Sequence, residues 1–243
     1  WSNAFVRVRL PSKATPKDAG PLLASLRKDR SIRLAEPDWP VAGFAIPNDT
    51  HFDTQYALRN TGQNGGTADA DIDADEAWDT VTGSDTLRVA VADTGADLTH
   101  PDLDQNLGRD TLGNFMGIDL INNDLVAQDD HGHGTHVSGI VGARGNNGLG
   151  ISGVCQRIVL VPIKCLNQNN QGSISTAVQA IDFAILNGCR VVNASFGTTE
   201  DSQFVREAVE RARQAGVMVV AACGNDGRDN DTRAIFPASL TTS

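Results

Sequence analysis

Leu87-Arg88-Val89-Ala90-Val91-Ala92-Asp93-Thr94-Gly95 decides the fold. A short apolar run bounded by a turn signal reads as a buried strand, and its last residue delivers a carboxylate at the C-terminal end of that strand. Forty residues on, His131-Gly132-His133-Gly134-Thr135-His136-Val137-Ser138-Gly139 supplies an imidazole, and a later apolar run, Val217 to Ala222, empties into Gly224-Asn225. An acid and an amide donor that follow apolar runs, with an imidazole between them in the chain, are the residue types expected of one acyl-transfer site. The base takes a proton from a hydroxyl nucleophile, the carboxylate fixes the base's tautomer, and the amide stabilises the oxyanion.

The segments between these runs alternate with them. Helical patterns are expected over Asp75–Thr80, from near His133 through Val137, Ile140 and Val141, and from Glu200 to Ala215 before Gly216. Another begins at Ser173, an N-cap, places Ala177, Val178, Ile181, Ala184 and Ile185 on one face, and closes at Gly188. Strands are expected over Ile158–Leu166 and Arg190–Phe196 as well as the two runs above. Such alternation implies an α/β fold, a mostly parallel sheet with helices on both faces and its site at the C-terminal strand ends.

The N-terminal segment differs in charge. Residues 1–45 carry eight Lys or Arg against four Asp or Glu, whereas residues 46–243 carry twelve against twenty-six, within a total of −10. That contrast places a domain boundary near residue 45. Phe5–Leu10 alternates like a strand, Pro16–Arg30 reads as a helix with Leu22, Leu23 and Leu26 on one side, and Ile32–Pro40 extends again because residues before proline leave the helical region. The result is a small α+β unit. An acidic main domain without a basic patch argues against nucleic acid as a partner, and no apolar stretch reaches the ~20 residues of a membrane span. Cys155, Cys165, Cys189 and Cys223 show no CxxC spacing, and each lies in or beside an apolar run, where a buried free thiol is the plain expectation. Their pairing stays open.

Asp93-Thr94-Gly95 with the following His100-Pro101-Asp102-Leu103, together with His133-Gly134-Thr135-His136-Val137 and Gly224-Asn225, resembles the subtilisin-like serine proteases in motif and in order. Asp before His before Ser is the chain order that subtilisin itself exemplifies. The resemblance implies Asp93, His133 and Asn225 as catalytic residues and His136 as a partly buried structural residue. It implies a substrate edge at Gly172 and Ser173, and pocket walls at Ser195, Phe196 and Gly197 and at Ala222 and Gly224. It also implies a structural Ca2+ held by Asp49, Asp102 and Asn147, although the Asn146-Asn147-Gly148-Leu149-Gly150 loop is one residue longer than the commonest form. Polypeptide substrates, a secreted location and an intramolecular inhibitory propeptide, matched by residues 1–45 with their Glu36-Pro37-Asp38-Trp39 tail, follow from the same resemblance.

The expected nucleophile segment, of the Gly-Thr-Ser-x-Ala type, does not occur in the 243 residues. Trp1 and the strand-like Ala234–Leu240 give both ends the look of cuts within a longer chain, so a signal peptide would be invisible. The parent is therefore expected to be a serine endopeptidase and this fragment to be inactive. A non-catalytic, protease-like peptide-binding protein is the alternative. A metal cluster of His133 with His131, His136, Asp129 and Asp130 is the competing reading, but the His-Glu-x-x-His pattern of metalloproteases is absent.

Overall fold

The computed structural model describes residues 6–8, 10, 16–37, 46–227 and 229–241. The chain divides into two compact units, residues 1–43 and 44–243.

In the first unit, α1 spans Pro16–Leu26. It is shorter than its pattern suggested, because Lys28 and Asp29 close the helix with bonds three residues back, and Asp29 Oδ1 takes the Ser31 N–H at 2.9 Å. Leu22, Leu23 and Leu26 are half-buried as expected. The expected strand over Phe5–Leu10 does not form among its described residues, where Val6 and Val8 are 80% and 55% exposed. A strand exists by pairing, and no described strand of this unit is available to it. Asp38, Trp39 and Pro40, the end of the expected tail, lie outside the described residues.

The second unit is built on five strands, β1 (Gly83–Asp93), β2 (Ile118–Asp119), β3 (Arg157–Lys164), β4 (Val191–Ala194) and β5 (Met218–Ala221). Every pairing is parallel, in the order β2-β3-β1-β4-β5. The chain therefore leaves β1 to one side for β2 and β3 and to the other for β4 and β5. That reversal opens a crevice at the carboxyl ends of the central strands.

Alternation along β1 shows why both faces are covered. Ala90 and Ala92 join Val161, Ile163 and Val192 against Ala180, Ile181 and Ala184 of α4 (Ile174–Leu186) and Ala208 and Ala212 of α5 (Gln203–Gln214). Val89 and Val91 join Leu103, Ile158 and Leu160 on the other face, where Val137 and Val141 of α3 (His133–Gly142) pack. A short α2 (Ala74–Trp78) buries Trp78 against Phe52, ring centroids 5.9 Å apart. β2 was not anticipated, and two residues carry too little pattern to announce a strand. Nor does Ala234–Leu240 form a strand: one bridge joins Phe236 to Thr198 before the chain turns.

Candidate active site

Asp93 closes β1, fully buried, and His133 opens α3. His133 Nδ1 lies 2.8 Å from Asp93 Oδ1 and 2.9 Å from Oδ2. With Nδ1 turned to the carboxylate, Nε2 is the ring nitrogen left for another partner on a side chain that is 39% exposed. Thr94 N donates to Asp93 Oδ1 at 2.7 Å and holds the carboxylate in place.

The close approach depends on glycine. A Cβ on Gly134 would fall 2.0 Å from the Gly95 carbonyl and 3.1 Å from the Asp93 Cβ, so a side chain there would push the helix start off the strand end. The loop before His133 is held by Asp129, which accepts from the N–H groups of His131, Gly132 and Thr135 and from the Thr94 and Thr135 hydroxyls. Burial opposes the charge of Asp129, yet the Thr135 hydroxyl and these N–H groups outweigh it and hold the carboxyl at about 2. Asp130 instead pairs with the buried Lys164. The two acids of the rival metal reading are thus engaged with protein donors. His136 is exposed rather than partly buried, one turn along α3.

Ser195 follows β4, and its Oγ receives Asn193 Nδ2 at 2.7 Å. It lies in a cleft of about 700 Å³ whose lining includes Gly172, Ser173, Phe196 and Gly197, five of the seven residues expected at the substrate. Ala222 and Gly224 are not in that lining. Ala222 N bonds Ala194 O at 3.1 Å, and a Cβ on Gly197 would stand 3.8 Å from Ala222 O, so the two segments face each other beside the cleft. Leu166, Ile174 and Phe236 also line it and were not anticipated, since apolar residues at element ends read equally well as core. Asn225 is exposed on the loop after β5, next to Gly224 at φ 92°.

Asp49 and Asp102 reach the loop that carries Asn147 from distant segments. Asp49 is buried, its Oδ2 takes Asn146 N at 2.8 Å, and its buried Oδ1 has no hydrogen-bond partner. Asp102, also buried, accepts Asn147 Nδ2 at 2.8 Å and Ile151 N at 2.9 Å. Asn147 is thus the loop asparagine that touches Asp102, while Asn146 Nδ2 turns to Gln156. A buried carboxylate oxygen left without a hydrogen-bond partner is a hard donor of the kind a calcium ion takes. Separately, the exposed Asp69, Asp73 and Glu76 bring ligand atoms within 4.8 Å of one another, a grouping the sequence did not suggest.

All four cysteines are free. Burial first, then the Asp93 charge, pushes the Cys165 thiol up to about 12, and burial pushes Cys189 up to about 11. Cys223 is exposed, contrary to the expectation of burial, because it sits past the end of β5 rather than in it. Among the described residues no helix is long and apolar enough to cross a membrane.

A parallel sheet that presents a carboxylate-oriented imidazole at its strand ends is a framework that hydroxyl-dependent hydrolases use. Residues 84–243 match the family model described as the subtilase family, and the chain belongs to that family. It is 34% identical over 207 residues to a thermophilic serine proteinase of Bacillus sp. (strain AK1), covering 85% of this chain and 47% of the relative. It is 33% identical over 194 residues to thermitase of Thermoactinomyces vulgaris (79% of this chain, 61% of thermitase). Halolysin of Haloferax mediterranei is 32% identical over 243 residues, 98% of this chain and 43% of halolysin. The chain spans roughly half the length of these curated relatives.

Proposed function

We propose that the full-length protein is a secreted serine endopeptidase that hydrolyses peptide bonds through an acyl-enzyme. The observation that carries the reading is the buried Asp93 carboxylate bonded to Nδ1 of His133. In this reading His133 Nε2 takes the proton of a serine supplied from outside these 243 residues and returns it to the leaving amine. Asp93 stabilises the imidazolium and keeps its tautomer. Asn225 donates to the oxyanion, and the polypeptide substrate lies along Gly172–Ser173 and Ser195–Gly197. Residues 1–45 act as an intramolecular propeptide. Asp49, Asp102 and Asn147 hold Ca2+, which when bound supplies charge compensation for the buried carboxylates and ties their segments together.

The test uses the full-length protein with a fluorophosphonate probe and a peptide substrate. Covalent labelling and turnover are expected, with turnover reduced at least about a hundredfold in His133→Ala. Residues 1–243 alone are expected to show neither. Peptide binding without labelling or turnover in the folded full-length protein would overturn the enzyme reading in favour of a peptide-binding protein. Turnover surviving the probe and lost to a zinc chelator would mean a metal-dependent hydrolase.

A further inference from the structure

Lys164 is the largest fully buried side chain among the described residues, 1% exposed, at the end of β3 directly opposite Asp93 in the parallel register. A buried ammonium is costly unless every N–H is matched and the charge is paired. Here all three are matched. Nζ donates to Thr94 O at 2.9 Å, to Leu166 O at 3.2 Å and to Asp130 Oδ1 at 2.5 Å.

Each acceptor belongs to a different part of the site. Thr94 adjoins Asp93 and orients its carboxylate through the backbone N–H. Asp130 lies three residues before His133, in the loop that delivers the imidazole. Leu166 begins the segment that leads to Gly172, where a Cβ would come 2.5 Å from the Cys165 carbonyl. The same corner is drawn together by Cys165 N and Leu166 N, which both donate to Asp93 O, at 2.9 and 3.0 Å. An apolar side chain would fill this space without the desolvation cost, so packing alone does not account for a cation there.

We propose that Lys164 is a positioning residue which, through Thr94 and Asp130, sets the geometry of the Asp93–His133 pair against the substrate edge. The proposal rests on the reading of Asp93 and His133 as acid and base. Lys164 touches neither the imidazole nor a substrate and acts by fixing the chain segments that carry them. Small displacements of reacting groups cost large factors in rate, about a hundredfold for an ångström. Loss of the tie therefore lowers kcat more than it alters KM.

The experiment compares Asp130→Asn, Lys164→Met and the double variant with wild type in the full-length protein. The readouts are kcat, KM and the downfield proton resonance of His133 Nδ1–H. Asp130 has a 43% exposed side chain, so Asp130→Asn is expected to fold even if Lys164→Met does not. Asp130→Asn is expected to lower kcat about tenfold, with KM within about twofold, and to broaden the resonance. Lys164→Met is expected to lower kcat about a hundredfold, and the double variant no further, because both substitutions break one tie. A folded Asp130→Asn variant with wild-type kcat and an unchanged resonance overturns the proposal, as do losses that multiply in the double variant. Absence of turnover and of fluorophosphonate labelling in wild type would instead sink the catalytic reading. The resonance would still decide whether Lys164 positions the pair.

Discussion

Asp129 and Asp130 stand side by side before two histidines, and in the sequence nothing distinguishes them. Folding gives them opposite duties. Asp129 turns inward on its own loop and takes N–H groups from residues 131, 132 and 135, whereas Asp130 reaches a lysine 34 residues away. Because hydrogen bonds hold the Asp129 carboxyl at about 2, below its ordinary 3.8, its contribution to stability is fully present above pH ~3.8 and is lost as pH falls through about 2. The shift corresponds to at most about 2 kcal/mol, and to about 1 kcal/mol after allowing for solvent screening. Asp129→Asn is therefore expected to lose less stability than wild type between pH 6 and pH 2.5, by about 1 kcal/mol in urea unfolding. Equal losses would show that the carboxylate does not hold the loop. The meeting of Asp93 with His133 was legible because each residue is local to its own motif. That of Lys164 with Asp130 was not, since a charge ending an apolar strand reads as its exit to solvent.

Elements were legible where periodicity and end signals agreed. Ser173 is such a signal: its Oγ accepts Thr176 N at 3.2 Å while Thr176 Oγ1 accepts Ser173 N at 3.0 Å, a reciprocal cap on α4. Ser173→Ala is expected to lower the unfolding free energy by about 1 kcal/mol and Ser173→Gly by only a few tenths, since glycine keeps the cap backbone solvated. Urea unfolding of the two variants checks this, and an undiminished Ser173→Ala would show that the cap is idle. Helix α3 was placed correctly, yet its packing was not readable. It buries Gly134, Ser138, Gly139 and Gly142 and leaves Ile140 48% exposed. A Cβ on Gly142 would stand 2.5 Å from Ile158 Cδ1, so close approach to the sheet, rather than apolar area, decides which face turns inward. The expected strand over Phe5–Leu10 is the opposite case, with a good pattern but no strand among its described residues and no described strand of its unit to pair with.

For the second unit as a whole, the segment at residues 48–51 is bound to a loop about a hundred residues later. Gly148 N donates to Asn48 Oδ1 at 3.0 Å, Thr50 Oγ1 to Gly148 O at 2.9 Å and His51 N to Gly150 O at 2.7 Å. Asp49 and Asp102 bring two carboxylates to this junction, and the protein donors leave Asp49 Oδ1 without a partner. A cation there would bind the folded state alone, because the unfolded chain scatters the ligands. It stabilises by RT ln(1 + [L]/Kd), about 2.7 kcal/mol at a hundredfold excess over Kd. In the full-length protein, Asp102→Ala is expected to abolish most of the calcium-dependent rise in Tm. Asp104→Ala, which loses only an exposed pair with Arg109, is expected to keep it. The comparison uses the difference between melts in calcium and in chelator. The stability that Asp102→Ala loses by releasing Asn147 and Ile151 therefore largely cancels, and only the linkage remains. Equal calcium responses in the two variants would place the ion elsewhere or remove it, leaving the buried Asp49 oxygen without a ligand to explain it.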